Sequence, residues 1–223
     1  SPLGGNTDAL KASLTENGSW IINSYETGYF LPGKQAFKTT SGEQTSKHNK
    51  TRAETKGYFN KGWINHGTTA KDASYQFHVL LNATPEKMKA WKNSYADRIK
   101  VLQQNETAHH IIDSEQKLEA LTSFGACSTS AKKSYIAATT HSCVVLIKQE
   151  SPTQIKLSHT NVNIDGIGQK SSTASVTLKG KWKITDKNAQ DCNVKIESNT
   201  TIITFSGEKN AMGMSQELTL QQQ

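Results

Sequence analysis

Residues 73–88 read Ala-Ser-Tyr-Gln-Phe-His-Val-Leu-Leu-Asn-Ala-Thr-Pro-Glu-Lys-Met, and they contain a strand pattern followed directly by a helix start. Apolar side chains alternate with polar ones up to Leu81, so Tyr75, Phe77 and Val79 share one face with it. Alternation of this kind is typical of a half-buried antiparallel strand. We therefore expect these side chains to lie in a core.

The helix start comes from the residues that follow. Thr84 is a good N-cap. Pro85 suits the first helical position, because an N–H group there would have no acceptor within the helix and proline has none to lose. The pattern predicts a helix that fades near 94–96. Met88 and Trp91 are three residues apart, so both can face the core.

Outward from this stretch, short apolar segments recur every 8–12 residues with turn residues between them. This spacing predicts an all-β protein of about fourteen strands, arranged as antiparallel β-sandwiches, with one short helix. We place the domain boundary at the helix, which gives parts at 1–83, 84–98 and 99–223. Residues 41–56 have almost no apolar side chain, so we expect a long exposed loop there. We expect Trp20, Trp63 and Trp182 to be buried, because each lies in an apolar strand.

Charge and length limit the function classes. The chain has 223 residues and a net charge of +7, which suits an anionic partner. Arg52 and Arg98 are its two arginines and the lysines are scattered, so sequence-specific nucleic-acid binding is disfavoured. The longest apolar run, 143–147, is far shorter than a membrane helix needs. No N-terminal signal segment is visible, so we expect that one was removed or that the chain begins inside a longer protein.

Standard catalytic and metal-binding signatures are missing from the sequence. The three cysteines, Cys127, Cys143 and Cys192, form no CxxC motif; a Cys127–Cys143 bond and free thiols both remain open. His66 and Asp72 are an acid–base pair or two turn residues. The segment 161–166 begins like a calcium loop but lacks the later glutamate, so an Asx turn is the preferred interpretation. The sequence predicts no catalytic, cofactor-binding or metal-ligating residue.

Several stretches together resemble the late β region of polysaccharide lyase family 8, in a form similar to the chondroitin sulfate ABC lyases. The most specific are Trp-Ile-Asn-His-Gly-Thr at 63–68, Lys-Asp-Ala-Ser-Tyr at 71–75 and Ala-Thr-Pro-Glu-Lys-Met at 83–88. Further similar stretches lie at 18–22, 28–31, 101–102, 110–112, 180–182 and 186–188. The resemblance therefore runs over nearly the whole chain.

The resemblance implies a fold and a function. Residues 1–83 would be the last strands of a large central β-sandwich domain, and 99–223 a smaller C-terminal sandwich. The parent enzyme would cleave a glycosaminoglycan by β-elimination at a uronic acid, without a cofactor. Its catalytic residues precede the part that matches, and His66 matches a family histidine that is not catalytic, so this chain alone is predicted to be inactive.

The partners implied are an acidic polysaccharide and an upstream helical catalytic domain of the same protein, with no nucleic acid and no membrane. Residues 1–83 would need an upstream sheet to cover their apolar face, whereas 99–223 would fold alone. The implied location is secreted or periplasmic. The rival interpretation is a non-catalytic carbohydrate-binding or adhesion module, which exposed aromatic side chains on one face would favour.

Overall fold

The computed structural model describes residues 11–163, 173–186 and 191–223, which form two compact units divided between Tyr95 and Ala96. The described chain is mainly antiparallel β-sheet, which confirms the predicted all-β class. No helix in it is long and apolar enough to cross a membrane. The division into 1–83, 84–98 and 99–223 stays a prediction.

The first unit contains a four-stranded sheet, a separate two-stranded hairpin and most of one helix. The sheet has the order β1-β2-β3-β6, and the hairpin is β4-β5. The elements are β1 (Lys11–Ser13), β2 (Ser19–Ile22), β3 (Gly28–Leu31), β4 (Phe37–Lys47), β5 (Glu54–Ile64), β6 (His78–Leu80) and α1 (Pro85–Arg98).

Helix α1 begins where the sequence predicts and ends slightly later. The N–H of Lys87 donates to Thr84 Oγ1 at 3.3 Å, which is the expected N-cap bond. The helix buries Met88 with Trp20 and Phe30 of the sheet. A side chain on Gly28 would collide with Met88 Sδ and with Ala83 Cβ, at 2.7 Å, so glycine lets the helix lie close to β3.

The polarity of 41–56 led us to expect a long exposed loop, and this expectation is wrong. The segment forms most of the β4–β5 hairpin, whose register runs from Phe37 opposite Ile64 to Lys47 opposite Glu54. Both faces of this hairpin are largely exposed, so its strands need no apolar alternation. Cross-strand backbone hydrogen bonds hold it instead, and these leave little trace in a hydropathy pattern.

The second unit is a β-sandwich. A seven-stranded sheet, β15-β18-β13-β12-β9-β8-β7, and a five-stranded sheet, β10-β11-β14-β17-β16, share one buried core. The elements are β7 (Ile99–Gln104), β8 (Ala108–Asp113), β9 (Leu118–Ser123), β10 (Cys127–Ser128), β11 (Ile136–Thr139), β12 (Cys143–Ser151), β13 (Gln154–Asn161), β14 (Ala174–Lys179), β15 (Trp182–Ile184), β16 (Cys192–Glu197), β17 (Thr200–Phe205), the short helix α2 (Gly207–Ala211) and β18 (Gln216–Gln222).

Strands β14 and β15 are close in the sequence but lie in different sheets. Gly180 has a φ of +88° and separates β14 from β15, a turn that favours glycine. The sandwich core takes alternate side chains from both sheets, including Val145 and Leu157 from one and Val176 and Ile203 from the other. Trp182 is buried in this core as predicted.

A buried carboxylate links the two sheets of the sandwich. Glu119 on β9 is 3% exposed, and its Oε1 lies 2.8 Å from His110 Nε2 on β8. Ser134 Oγ donates to the same oxygen at 2.5 Å, and the N–H of Tyr135 donates to Oε2 at 2.8 Å. Both donors lie just before β11, so the carboxylate fixes that segment to the opposite sheet.

Replacing Glu119 tests this link. Glu119→Ala leaves several buried donors without an acceptor, and each such group costs about 1–3 kcal/mol. We expect the free energy of unfolding, measured by urea denaturation, to fall by about 3–5 kcal/mol. The matched control is Glu217→Ala on the exposed face of β18, where a change within about 0.5 kcal/mol is expected. Equal effects of the two substitutions would show that Glu119 does not hold the sheets together.

Candidate functional site

A groove of about 590 Å³ lies within the first unit, on the face of its sheet away from α1. Ile21 and Leu31 form its floor, and the hairpin β4–β5 and the segment 65–77 form its walls. The lining residues are Ile21, Asn23, Tyr29, Leu31, Phe37, Asn60, Lys61, Gly62, Trp63, Ile64, His66, Tyr75 and Phe77. The groove is therefore mainly aromatic and aliphatic, with one lysine and one histidine.

Two local features position the walls. Gln35 Nε2 donates to the carbonyl oxygens of Pro32 and Gln76, at 2.9 and 2.7 Å, and so holds the segment before β6 in place. Gly62 lies against the Phe37 ring, where an added Cβ would be 2.7 Å from Cζ. Any larger residue at Gly62 would push this ring out of the groove wall.

Several aromatic side chains that we expected in the core are exposed instead. Trp63 is 44% exposed, Tyr75 55%, Phe77 50% and Val79 51%. The prediction that they are core residues is therefore wrong for this chain. The alternation itself is real, because Tyr75, Phe77, Val79 and Leu81 are all exposed while Gln76, His78 and Leu80 between them are partly buried. We call the four exposed side chains the apolar stripe.

The reason for this inverted burial lies in the register of β6. His78 pairs with Phe30 and Val79 with Tyr29, so His78 and Phe30 face the helix. His78 lies 5.6 Å from the rings of both Trp91 and Tyr95, and this burial lowers its pKa. The polar side chain of His78 thus lies on the side of the sheet that α1 covers. Residues 73–77 pair with no strand among the described residues, so β6 is far shorter than predicted.

The proposed acid–base pair is not assembled. His66 and Asp72 are both exposed, and no hydrogen bond joins them in the described part of the chain. His66 lies instead 6.1 Å from the Tyr75 ring. Asp72 has a φ of +53°, which fits a turn residue.

One face of the hairpin combines cations with aromatic rings. Phe59, Lys61 and Trp63 alternate along β5, and Lys38 on β4 pairs with Trp63. We call this the basic aromatic face. Residues 37–64 contain six lysine or arginine side chains against two glutamates, so a large share of the +7 charge lies on this hairpin. Such a surface attracts a polyanion and offers rings for stacking.

Three further side chains meet in the second unit, although they are far apart in the sequence. The ligand atoms of His141, Cys143 and His159 all lie within 4.8 Å of one another. Their spacing matches no zinc motif, so only the pairing of β12 with β13 reveals them. All three cysteines are free thiols; Cys143 is buried, and Cys127 and Cys192 are partly buried.

The second half of the possible calcium loop at 161–166 lies outside the described residues. Within them, the N–H of Asn163 donates to Asn161 Oδ1 at 3.0 Å, which is the hydrogen bond of an Asx turn.

Comparison with known proteins finds two relatives that are named as lyases. The chain is 30% identical over 212 residues to a chondroitin sulfate ABC endolyase of Proteus vulgaris, covering 92% of this chain and 20% of that protein. It is 25% identical over 206 residues to a chondroitin sulfate ABC exolyase of Bacteroides thetaiotaomicron, covering 80% of this chain and 20% of that protein. The chain is related to the polysaccharide lyases. This confirms the resemblance drawn from the sequence.

The same fold occurs in a solved lyase. A chondroitin AC lyase of Streptomyces coelicolor A3 superposes with a TM-score of 0.75 over 98% of this chain and 28% of its own, at 12% identity. That likeness concerns the fold alone. No protein-family model matches the chain. The chain spans about a fifth of the length of the relatives it matches.

Burial at the apolar stripe is testable by truncation. Phe77→Ala removes a half-exposed ring, so the free energy of unfolding is expected to fall by less than about 1.5 kcal/mol. Phe30→Ala removes a fully buried ring and should cost about 3–5 kcal/mol. Thermal and urea unfolding of both variants make the comparison. A loss at Phe77 as large as that at Phe30 would mean that the stripe is a core surface in this chain.

Proposed function

We propose that this chain is the C-terminal β region of a glycosaminoglycan lyase that acts on an acidic polysaccharide such as chondroitin sulfate. The observation that carries the proposal is the 30% identity to a chondroitin sulfate ABC endolyase across 92% of the chain. A match of this extent includes both units, so the relationship is not limited to one sheet motif. We also propose that the protein is secreted or periplasmic, because it would encounter such polysaccharides there.

The proposed reaction is β-elimination at a uronic acid. One group neutralises the carboxylate and so lowers the pKa of the C5 proton, a base removes that proton, and an acid protonates the leaving glycosidic oxygen. We assign these groups to a helical domain upstream in the same protein. His66 is a poor base candidate, because it is exposed and no carboxylate orients it among the described residues.

The basic aromatic face is the surface that we assign to the polysaccharide. Lys38 and Lys61 can pair with sulfate or carboxylate groups of the polysaccharide. Trp63, which is next to both lysines, can stack on one of its sugar rings. The apolar stripe has a different character, because it has no charged side chain. We assign it to contact with the upstream β-sheet of the same protein, which would remove Phe77 and its neighbours from water.

A second function has specific support. Exposed Trp63, Tyr75 and Phe77 are the feature expected of a non-catalytic carbohydrate-binding module. The rings of Tyr75 and Phe77 are stacked at 6.2 Å with an interplanar angle of 10°, which gives a flat apolar platform. Such a platform would bind neutral polysaccharides as well as sulfated ones, whereas the lyase proposal requires a polyanion.

The first test is enzymatic. We expect the purified chain to form no unsaturated product from chondroitin sulfate, followed by absorbance in the ultraviolet, because the catalytic groups lie upstream. The longer protein that includes the helical domain should form this product under the same conditions. Product formation by the chain alone would contradict the proposed division of labour.

The second test concerns the surface. Lys61→Glu reverses one charge on the basic aromatic face, and we expect binding of chondroitin sulfate to weaken by about tenfold, which corresponds to about 1.4 kcal/mol. The control is Lys156→Glu, an equally exposed lysine on β13 of the second unit. The affinity of each variant for chondroitin sulfate is measured by calorimetry at low and at high salt. Equal losses for the two variants would show that net charge, not this face, determines binding.

Neutral polymer separates the two candidate functions. Binding of an uncharged dextran as tight as that of chondroitin sulfate, and insensitive to Lys61→Glu, would favour the carbohydrate-binding module over the lyase segment.

A further inference from the structure

The cluster of His141, Cys143 and His159 is formed by neighbouring strands of the sandwich. His141 lies in the turn before β12, Cys143 begins β12, and His159 lies on β13. In the register of these strands Cys143 pairs with Asn161 and Val145 pairs with His159. Cys143 and His159 are therefore diagonal neighbours that both point to the buried side.

The spacing of the donor atoms is close to that of a metal coordination shell. Nε2 of His141 and Nε2 of His159 are 2.9 Å apart, and the Cys143 sulfur completes a group within 4.8 Å. Tetrahedral zinc has bonds of about 2.0–2.1 Å to nitrogen and 2.3 Å to sulfur, so its ligands lie roughly 3.3–3.6 Å from one another. Small side-chain rotations would bring the three atoms to these separations.

The hydrogen bond between the two imidazoles does not satisfy all of their nitrogen atoms. At 2.9 Å one Nε2 must donate to the other, which requires opposite tautomers of the two rings. Nδ1 of His141 lies 3.2 Å from Thr140 Oγ1, whereas the buried Nδ1 of His159 has no partner among the described residues. No second hydrogen bond therefore fixes the tautomer of His159, and a cation bound by both Nε2 atoms would replace the single hydrogen bond between the rings.

The charge states suit a cation as well. Burial, with a smaller contribution from His141, lowers the pKa of His159 to about 3, and burial also lowers the pKa of His141. Both rings are thus neutral at pH 7. Burial raises the pKa of the Cys143 thiol, but a coordinated divalent ion deprotonates a thiol. Two nitrogens and one sulfur exclude calcium and magnesium, which need oxygen ligands.

We propose that His141, Cys143 and His159 bind one zinc ion, with the fourth position open on the side of His141, the one of the three that is only partly buried. The ion would tie the turn before β12 to β13 and so stabilise the end of the sandwich. This site is separate from the groove and from the basic aromatic face, and it does not depend on the proposed lyase function.

The test is metal titration of the full chain, purified reduced and without a histidine tag. We expect one Zn²⁺ per chain by calorimetry and no binding of Ca²⁺ or Mg²⁺. Co²⁺ in its place should give the visible bands of a tetrahedral site together with a thiolate-to-cobalt charge-transfer band. Both cobalt signals should be lost in Cys143→Ser and kept in the control Cys192→Ser.

His141→Ala is the decisive variant, because His141 is only partly buried and lies in a turn, so the fold should survive its removal. Loss of a ligand should weaken Zn²⁺ binding by at least about 100-fold. The matched control, His109→Ala, removes an exposed histidine from β8 and should leave the affinity unchanged. Zinc affinity that is equal in the two histidine variants, or absent from the parent chain, would overturn the proposal.

A thiol count closes the remaining alternative. The reduced and metal-free chain should show three titratable thiols after denaturation, in line with three free cysteines. If the chain as isolated shows one thiol, peptide mapping finds Cys143 in the disulfide, and reduction restores three thiols while creating no zinc site, the proposal fails.

Discussion

Apolar sheet faces must be removed from water, and this constraint determines what each unit of the chain is able to do. The second unit meets it alone: two sheets share one core, and Glu119 fixes the segment before β11 across that core. The first unit meets it on one side only. Helix α1 covers the face that bears Phe30, and the other side carries the groove and the apolar stripe.

The exposed apolar face of the first unit has a consequence for function. Surfaces that keep Trp63, Tyr75 and Phe77 half-exposed lose hydrophobic stabilisation, so a partner that covers them gains it. The hairpin places lysines beside these rings, and the glycine at position 62 permits the close packing of the Phe37 ring that shapes the groove. Under our proposal the second unit is a rigid support, and the first unit holds the contacts with polysaccharide and with the rest of the enzyme.

Much of the fold was predictable from local signals. The N-cap at Thr84 and the alternation in 73–81 gave the helix start and the shared face of Tyr75 and Phe77 correctly. Alternation does not say which face is covered, and here the polar His78 side packs under α1. The part of the hairpin in 41–56 was missed as strand because neither of its faces is buried. The histidine–cysteine cluster needed strand register, which sequence spacing does not give.

Hydrogen–deuterium exchange, read by mass spectrometry with and without chondroitin sulfate, tests the central claim most directly. The account predicts slower exchange in 37–64 when the polysaccharide is present, and no change in 99–223. Exchange that is unchanged in 37–64, or slowed mainly in the second unit, would contradict the assignment of the basic aromatic face as the polysaccharide surface.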